Sequence, residues 1–187
     1  RIHFHQIESG SQPRTLVQIV TDNAPFLVDS MLMALTAHDL TIHLSIHPVI
    51  AISRDAQGHI QGLANDAGDD LLSCMSFEID RLDDTQAQQA LREQLLQVLR
   101  DVHSAVSDWQ PMREKMLELS QSLPSDVPAE QAQTAAEAVE LLRWLADDHF
   151  TFLGYRCYEL SQEDGQPVLR RDAESGLGIL RHSDASV

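Results

Sequence analysis

Lysine is almost absent from this chain: Lys115 is the only one in 187 residues, and thirteen basic residues in all face 29 acidic ones for a formal net charge of -16. Such a chain repels phosphate backbones and anionic lipid, which argues against nucleic acid and membrane surfaces as partners. Cysteine is scarce too. Cys74 and Cys157 stand far apart with no CxxC pairing, so the sequence encodes neither a disulfide scaffold nor a zinc ribbon, and reduced thiols fit a cytoplasmic setting. No apolar run exceeds the five residues from Met31 to Leu35, far short of the roughly 18 that a membrane-spanning helix needs. A signal peptide is not legible either.

What is present is the usage of an ordinary globular protein, with 43% hydrophobic, 5% aromatic and 22% charged residues. Disordered and fibrous classes are therefore excluded. A chain of this length buries roughly 70% of its surface as one closed body, and one large domain or two small modules fit it. Charge is unevenly placed: residues 1–60 hold three Arg and five acids, a sum of -2, and the remaining residues sum to -14. Six of the nine His also lie in the first 60 residues. The chain opens on Arg1 and ends on Arg181-His-Ser-Asp-Ala-Ser-Val187, so it reads as a piece of something longer.

Residues 1–7 alternate as a short strand, ended by the turn-forming segment Ser9 to Pro13, and the β-branched run Thr15 to Val20 reads as a buried strand paired with it. Asp22, Asn23 and Pro25 then announce a helix, with the acid or amide as cap and the proline in the first turn. Leu27, Met31 and Leu35 carry its apolar stripe toward Asp39. Period two returns from Leu40 to Arg54, with Ile42, Leu44 and Ile46 on one face and His43, Ser45 and His47 on the other. A turn at Asp55 to Gly58, a short strand at His59 to Leu63, a Gly/Asp-rich loop and a strand at Leu72 to Asp80 follow.

Asp83 to Thr85 cap a long helix striped by Leu91, Leu95, Leu99 and Val102, and Pro111 marks a kink or a fresh helix running to about Ser122. The segment from Leu123 to Pro128, with two prolines, is the best domain boundary. A helix from Glu130 to Asp148, a strand from Phe150 to Leu160 and a hairpin partner at Val168 to Arg170 complete the pattern. Aromatics crowd between Trp144 and Tyr158, so a local core is expected there. Gly176-Leu-Gly178 reads as a connector.

Few residues read as chemistry. Gly176-Leu-Gly178 lacks the third glycine of a dinucleotide fingerprint. His43 and His47 share a strand face about 7 Å apart in backbone rise, which suits a metal only if a third ligand joins them, and the solvated face of an antiparallel strand has the same pattern. The junction Asp22, Asn23, Ala24, Pro25, Phe26 and Leu27 is the most functional-looking spot. Free amides at a helix N-terminus suit a small carboxylate, while Asp22 and Asn23 as plain caps would satisfy the same amides.

The strand and helix order, with that Asp-x-x-Pro turn opening the first helix, resembles the ACT domain, a ferredoxin-like βαββαβ module. The fold class expected is therefore α+β, an antiparallel sheet with helices on one face over residues 1–124, extended by a helix and β-hairpin over residues 125–187. The segments Ile19 to Ser30, Ile42 to Val49, Asp108 to Met112 and Leu141 to Tyr155, with the tail Gly176 to Leu180, are similar to the N-terminal region of the large bacterial NAD-dependent glutamate dehydrogenases. The resemblance implies a parent enzyme that converts L-glutamate and NAD to 2-oxoglutarate, ammonium and NADH. It also implies that NAD and the catalytic groups belong to other domains, and that this module is non-catalytic, carries no cofactor, and serves regulation or pairing of subunits. Amino-acid-binding ACT domains usually carry Gly directly after the Pro of the turn; Phe26 stands there instead, which points to a structural or interface role.

Overall fold

In the computed structural model, residues 1–9, 12–64, 70–123, 127–163 and 165–181 are described. They form two compact units, Arg1–Val102 and His103–Val187. The proline-rich segment expected to mark the boundary has residues 124–126 outside the described set. Leu99 and Val102 still pack on the first core.

The first unit contains β1 (Ile2–Ser9), β2 (Gln12–Asp22), α1 (Leu27–Thr36), β3 (Ile42–Ile46), β4 (Val49–Arg54), β5 (Ile60–Leu63), β6 (Leu71–Asp80) and most of α2 (Thr85–Ser107). The strands make one antiparallel sheet in the order β1-β2-β6-β4-β5, with β3 beside β4 on the same edge of β6. Thr15, Val17 and Ile19 of β2 and Ser73, Met75, Phe77 and Ile79 of β6 are buried, and the residues between them face the other way. Leu27, Met31 and Leu35 of α1 and Leu91, Leu95 and Leu99 of α2 share the core with those apolar strand residues. Their spacing of four or eight puts each set on one helix face, and each such side chain contributes about 1.5–3 kcal/mol on burial.

This is the α+β arrangement expected, an antiparallel sheet with helices packed on one face, with one difference in chain order. A βαββαβ module brings its last strand back beside the first; here that place belongs to β1, which precedes β2 and pairs with it from Ile2↔Ile19 to Ser9↔Gln12. A short connection makes the antiparallel neighbour locally available, and after α2 the chain continues into helix α3 (Trp109–Ser122) instead of returning to the sheet. Arg92 of α2 ties that edge down, donating to the Ile2 carbonyl and lying 5.2 Å from the Phe4 ring centroid.

In the second unit α3 packs on α4 (Ala132–Trp144), burying Met112, Ala135 and Val139. The expected helix to Asp148 stops at Trp144 and ends in a π turn, Leu145–His149, because Asp147 and Asp148 leave helical geometry. The expected strand from Phe150 to Leu160 is broken into β7 (Gly154–Tyr155) and β8 (Tyr158–Glu163), the latter in a hairpin with β9 (Gln166–Arg171). Trp144, Phe150 and Tyr158 are substantially exposed, so the aromatic cluster is surface and not a local core.

The tail is built structure as well. Leu177 and Gly178 form β10 against β7, and Gly178 has φ of 59°, where an added Cβ would lie 2.2 Å from the Leu153 carbonyl oxygen. Only glycine fits such an approach. Asp108, the residue capping α3 and 3% exposed, accepts hydrogen bonds from the Gly178 amide at 2.8 Å and from Arg181 Nε at 2.9 Å, with a further bond from Arg181 Nη2. Burial alone would push this carboxyl up, but Arg181, the Gly178 amide and Ser107 together hold it below the ordinary carboxylate value. Removing the acceptor strands a buried amide and a half-buried guanidinium. Asp108→Ala is expected to cost about 2 kcal/mol of unfolding free energy in urea titration, against less than about 0.5 kcal/mol for exposed Glu140→Ala. Equal values for the two variants would contradict this role.

Candidate functional site

β2 and β6 position the junction Asp22 to Leu27. The ladder between them runs to Asp22↔Leu72 and is extended by the Asn23 amide, which donates to the Leu71 carbonyl at 2.9 Å. Ala24 packs against the core, Pro25 lies in the turn, and Leu27 is buried as the first helical residue. The helix therefore starts two residues later than the proline suggested. Its cap is Phe26, at φ 67° and ψ -1°, and no side chain caps the helix.

Asp22 cannot serve as that cap, because its carboxylate is engaged elsewhere. Arg54 Nη2 donates to Asp22 Oδ1 at 2.7 Å, while Arg54 Nη1 donates to the Gly58 carbonyl at 3.1 Å. The first intrahelical bond is Ser30 N to the Phe26 carbonyl at 3.0 Å, which leaves the amides of Leu27, Val28 and Asp29 without intrahelical acceptors. Asp29 in the first turn complements the helix dipole. Phe26 is 56% exposed yet holds a left-handed backbone, a conformation that costs a side chain about 1–2 kcal/mol. A bulky residue thus occupies the turn position where glycine would leave the backbone open.

The two imidazoles read as neighbours on one face are separated by a bulge. Register shifts between Ile42 and Leu44: Ile42 pairs with Ile79 on the helix-covered face, whereas Leu44 and Ile46 pair with Glu78 and Ser76 on the opposite one. His43 Nε2 donates to Asp80 Oδ1 at 2.7 Å, and Asp80 also accepts from the Thr41 amide at 3.0 Å and Arg14 Nη1 at 3.2 Å. The His43 hydrogen bond, then those from Thr41, hold this carboxyl at a pKa of about 2. His47 instead bonds to the Ser73 hydroxyl, and Ser73 is buried on the helix-covered face. Among the described residues no group of three or more His, Cys, Asp and Glu is placed to hold a metal ion.

Sequence reading missed the helix-free face of the sheet. There β2 presents Leu16, Gln18 and Val20, β6 presents Cys74, Ser76 and Glu78, and β3 presents Leu44 and Ile46. Val20, Leu44 and Ile46 are 39%, 48% and 50% exposed, and the stacked His3 and His5 rings, with centroids 6.3 Å apart, border them on β1. The signal was available: β2 is apolar at Leu16 and Val20 as well as at Val17 and Ile19, a pattern for a strand covered on both faces.

Residues 3–95, nearly all of the first unit, match the family described as the ACT1 domain of glutamate dehydrogenase. Over 89% of its length the chain is 34% identical to the NAD-specific glutamate dehydrogenase of Halomonas elongata and 34% identical to that of Pseudomonas aeruginosa, and it spans 11% of each of those proteins. A Mycobacterium tuberculosis NAD-specific glutamate dehydrogenase is 24% identical over 88% of the chain. Through residues 3–95 the chain therefore belongs to the glutamate dehydrogenase ACT1-domain family.

Proposed function

We propose that the chain is a non-catalytic regulatory and subunit-pairing module of an NAD-dependent glutamate dehydrogenase. The parent enzyme converts L-glutamate and NAD to 2-oxoglutarate, ammonium and NADH in the cytoplasm, and NAD with the catalytic groups belongs to its other domains. Homo-oligomerisation runs through the ACT-like sheet, and the remaining partners are other domains of the same polypeptide. The observation that carries this reading is the exposed apolar set Val20, Leu44 and Ile46 on the helix-free face, since a sheet face with that pattern gains by being covered. Among the described residues no helix is long and apolar enough to cross a membrane, and the net charge of -16 disfavours nucleic acid.

A second reading makes the module a sensor of amino acids or other small carboxylates. It rests on the uncapped amides after Phe26, and Phe26 itself opposes it. Self-association of the 187-residue chain, followed by sedimentation equilibrium, is expected to weaken at least tenfold in Ile46→Glu, because a carboxylate would be desolvated in the interface. Unchanged association would overturn the pairing role. At the junction, Phe26→Gly is expected to be more stable than Phe26→Ala by about 1 kcal/mol in urea, although glycine removes more side chain, because only alanine retains the left-handed penalty. The unsubstituted chain is expected to show no thermal shift with a panel of monocarboxylic amino acids; stabilisation by several degrees would favour the sensor.

A further inference from the structure

The second unit carries a hollow of about 350 Å³ lined by Arg113, Leu117, Arg143, Trp144, Ala146 and Asp147. Its size falls in the range of small-molecule sites, roughly 300–1,000 Å³. Two of the chain's thirteen basic residues meet at it. Arg113 is half-buried on α3, and its Nε donates to the Ala146 carbonyl at 2.6 Å. That bond anchors the Nε edge of the guanidinium, and its Nη groups have no hydrogen-bond partner among the described residues. Arg143, in the last turn of α4, is exposed and has no ion-pair partner among the described residues.

The π turn is what creates the hollow. Ending α4 at Trp144 turns the Ala146 carbonyl toward Arg113, at the cost of holding Asp148 at φ 56°. Strained residues and π turns concentrate at functional positions. His149 steadies the indole, its Nδ1 lying 3.0 Å from the Trp144 carbonyl oxygen and its ring stacking on Trp144 with centroids 4.6 Å apart. Leu117, Ala146 and Trp144 supply the apolar part of the hollow's lining.

The geometry points to a binding site for a small dicarboxylate, one carboxylate on each guanidinium and the carbon chain against Leu117 and Trp144. Guanidinium forks match carboxylates bidentately. Asp147 also lines the hollow, and its carboxylate offsets part of the positive charge of the two guanidinium groups and disfavours ligands of higher negative charge. The inference goes beyond the subunit-pairing reading and uses none of its residues, so either can fail alone.

Trp144 reports on the site directly, in a Trp109→Phe background that removes the other indole. Titration of that chain with sodium succinate at constant ionic strength is expected to change its fluorescence saturably, with a Kd on the order of 1 mM. Acetate and inorganic phosphate are expected to bind at least tenfold more weakly. Arg143→Gln is expected to weaken succinate at least tenfold while leaving the thermal midpoint unchanged, since Arg143 is exposed. Arg143→Lys keeps the charge but not the fork and is expected to recover only part of the affinity. No saturable change with succinate, equal affinity in Arg143→Gln, or tighter binding of phosphate than of succinate would overturn the proposal.

Discussion

The first unit depends on β6, which is paired along both edges. β2 holds one edge from Arg14↔Asp80 to Asp22↔Leu72, and β3 with β4 holds the other. A slip of one residue would turn Met75, Phe77 and Ile79 out of the core and drive Ser76 and Glu78 into it. The register is therefore fixed, and both ends of the strand become fixed points. At one end Asp80 gathers Thr41, His43 and Arg14; at the other the Leu71 carbonyl receives Asn23 and sets the turn into α1. The junction and the helix-free face are thus two consequences of one pairing pattern.

Most elements of this fold are legible in local sequence, because periods of 2 and 3.6 report which face is buried. The stripes Leu27, Met31, Leu35 and Leu91, Leu95, Leu99 are buried as read. What local pattern does not carry is long-range partnership. Asp22 reads as a cap until Arg54, 32 residues on, takes its carboxylate. Asp108 reads as a helix boundary, and its acceptor role appears only when Gly178 and Arg181 arrive from some 70 residues away. The bulge beside His43 is likewise invisible to a count of alternation, and it separates the two imidazoles that alternation had placed together.

Backbone conformation set by tertiary structure escapes sequence reading for a related reason. Phe26 and Asp148 both hold positive φ; aspartate is among the residue types enriched there, whereas phenylalanine gives no such sign. Phe26 fills a turn where a glycine would open the backbone, and Asp148 ends a helix whose apolar pattern would otherwise continue. The glycine that does matter, Gly178, looks like part of a linker in sequence and is a close-packed strand residue in the structure.

The central claim is that the helix-free sheet face, rather than the α1 junction, is the working surface of the ACT1 domain. Cys74 lies on that face between Val20 and Ser76 and is half-buried, whereas Cys157 is exposed in the other unit. The rate of Cys74 alkylation, taken relative to Cys157 across a protein concentration series, tests the claim most directly. Cys74 is expected to become at least tenfold slower as the chain associates while Cys157 keeps its rate. An unchanged ratio over the range in which the chain associates would contradict it.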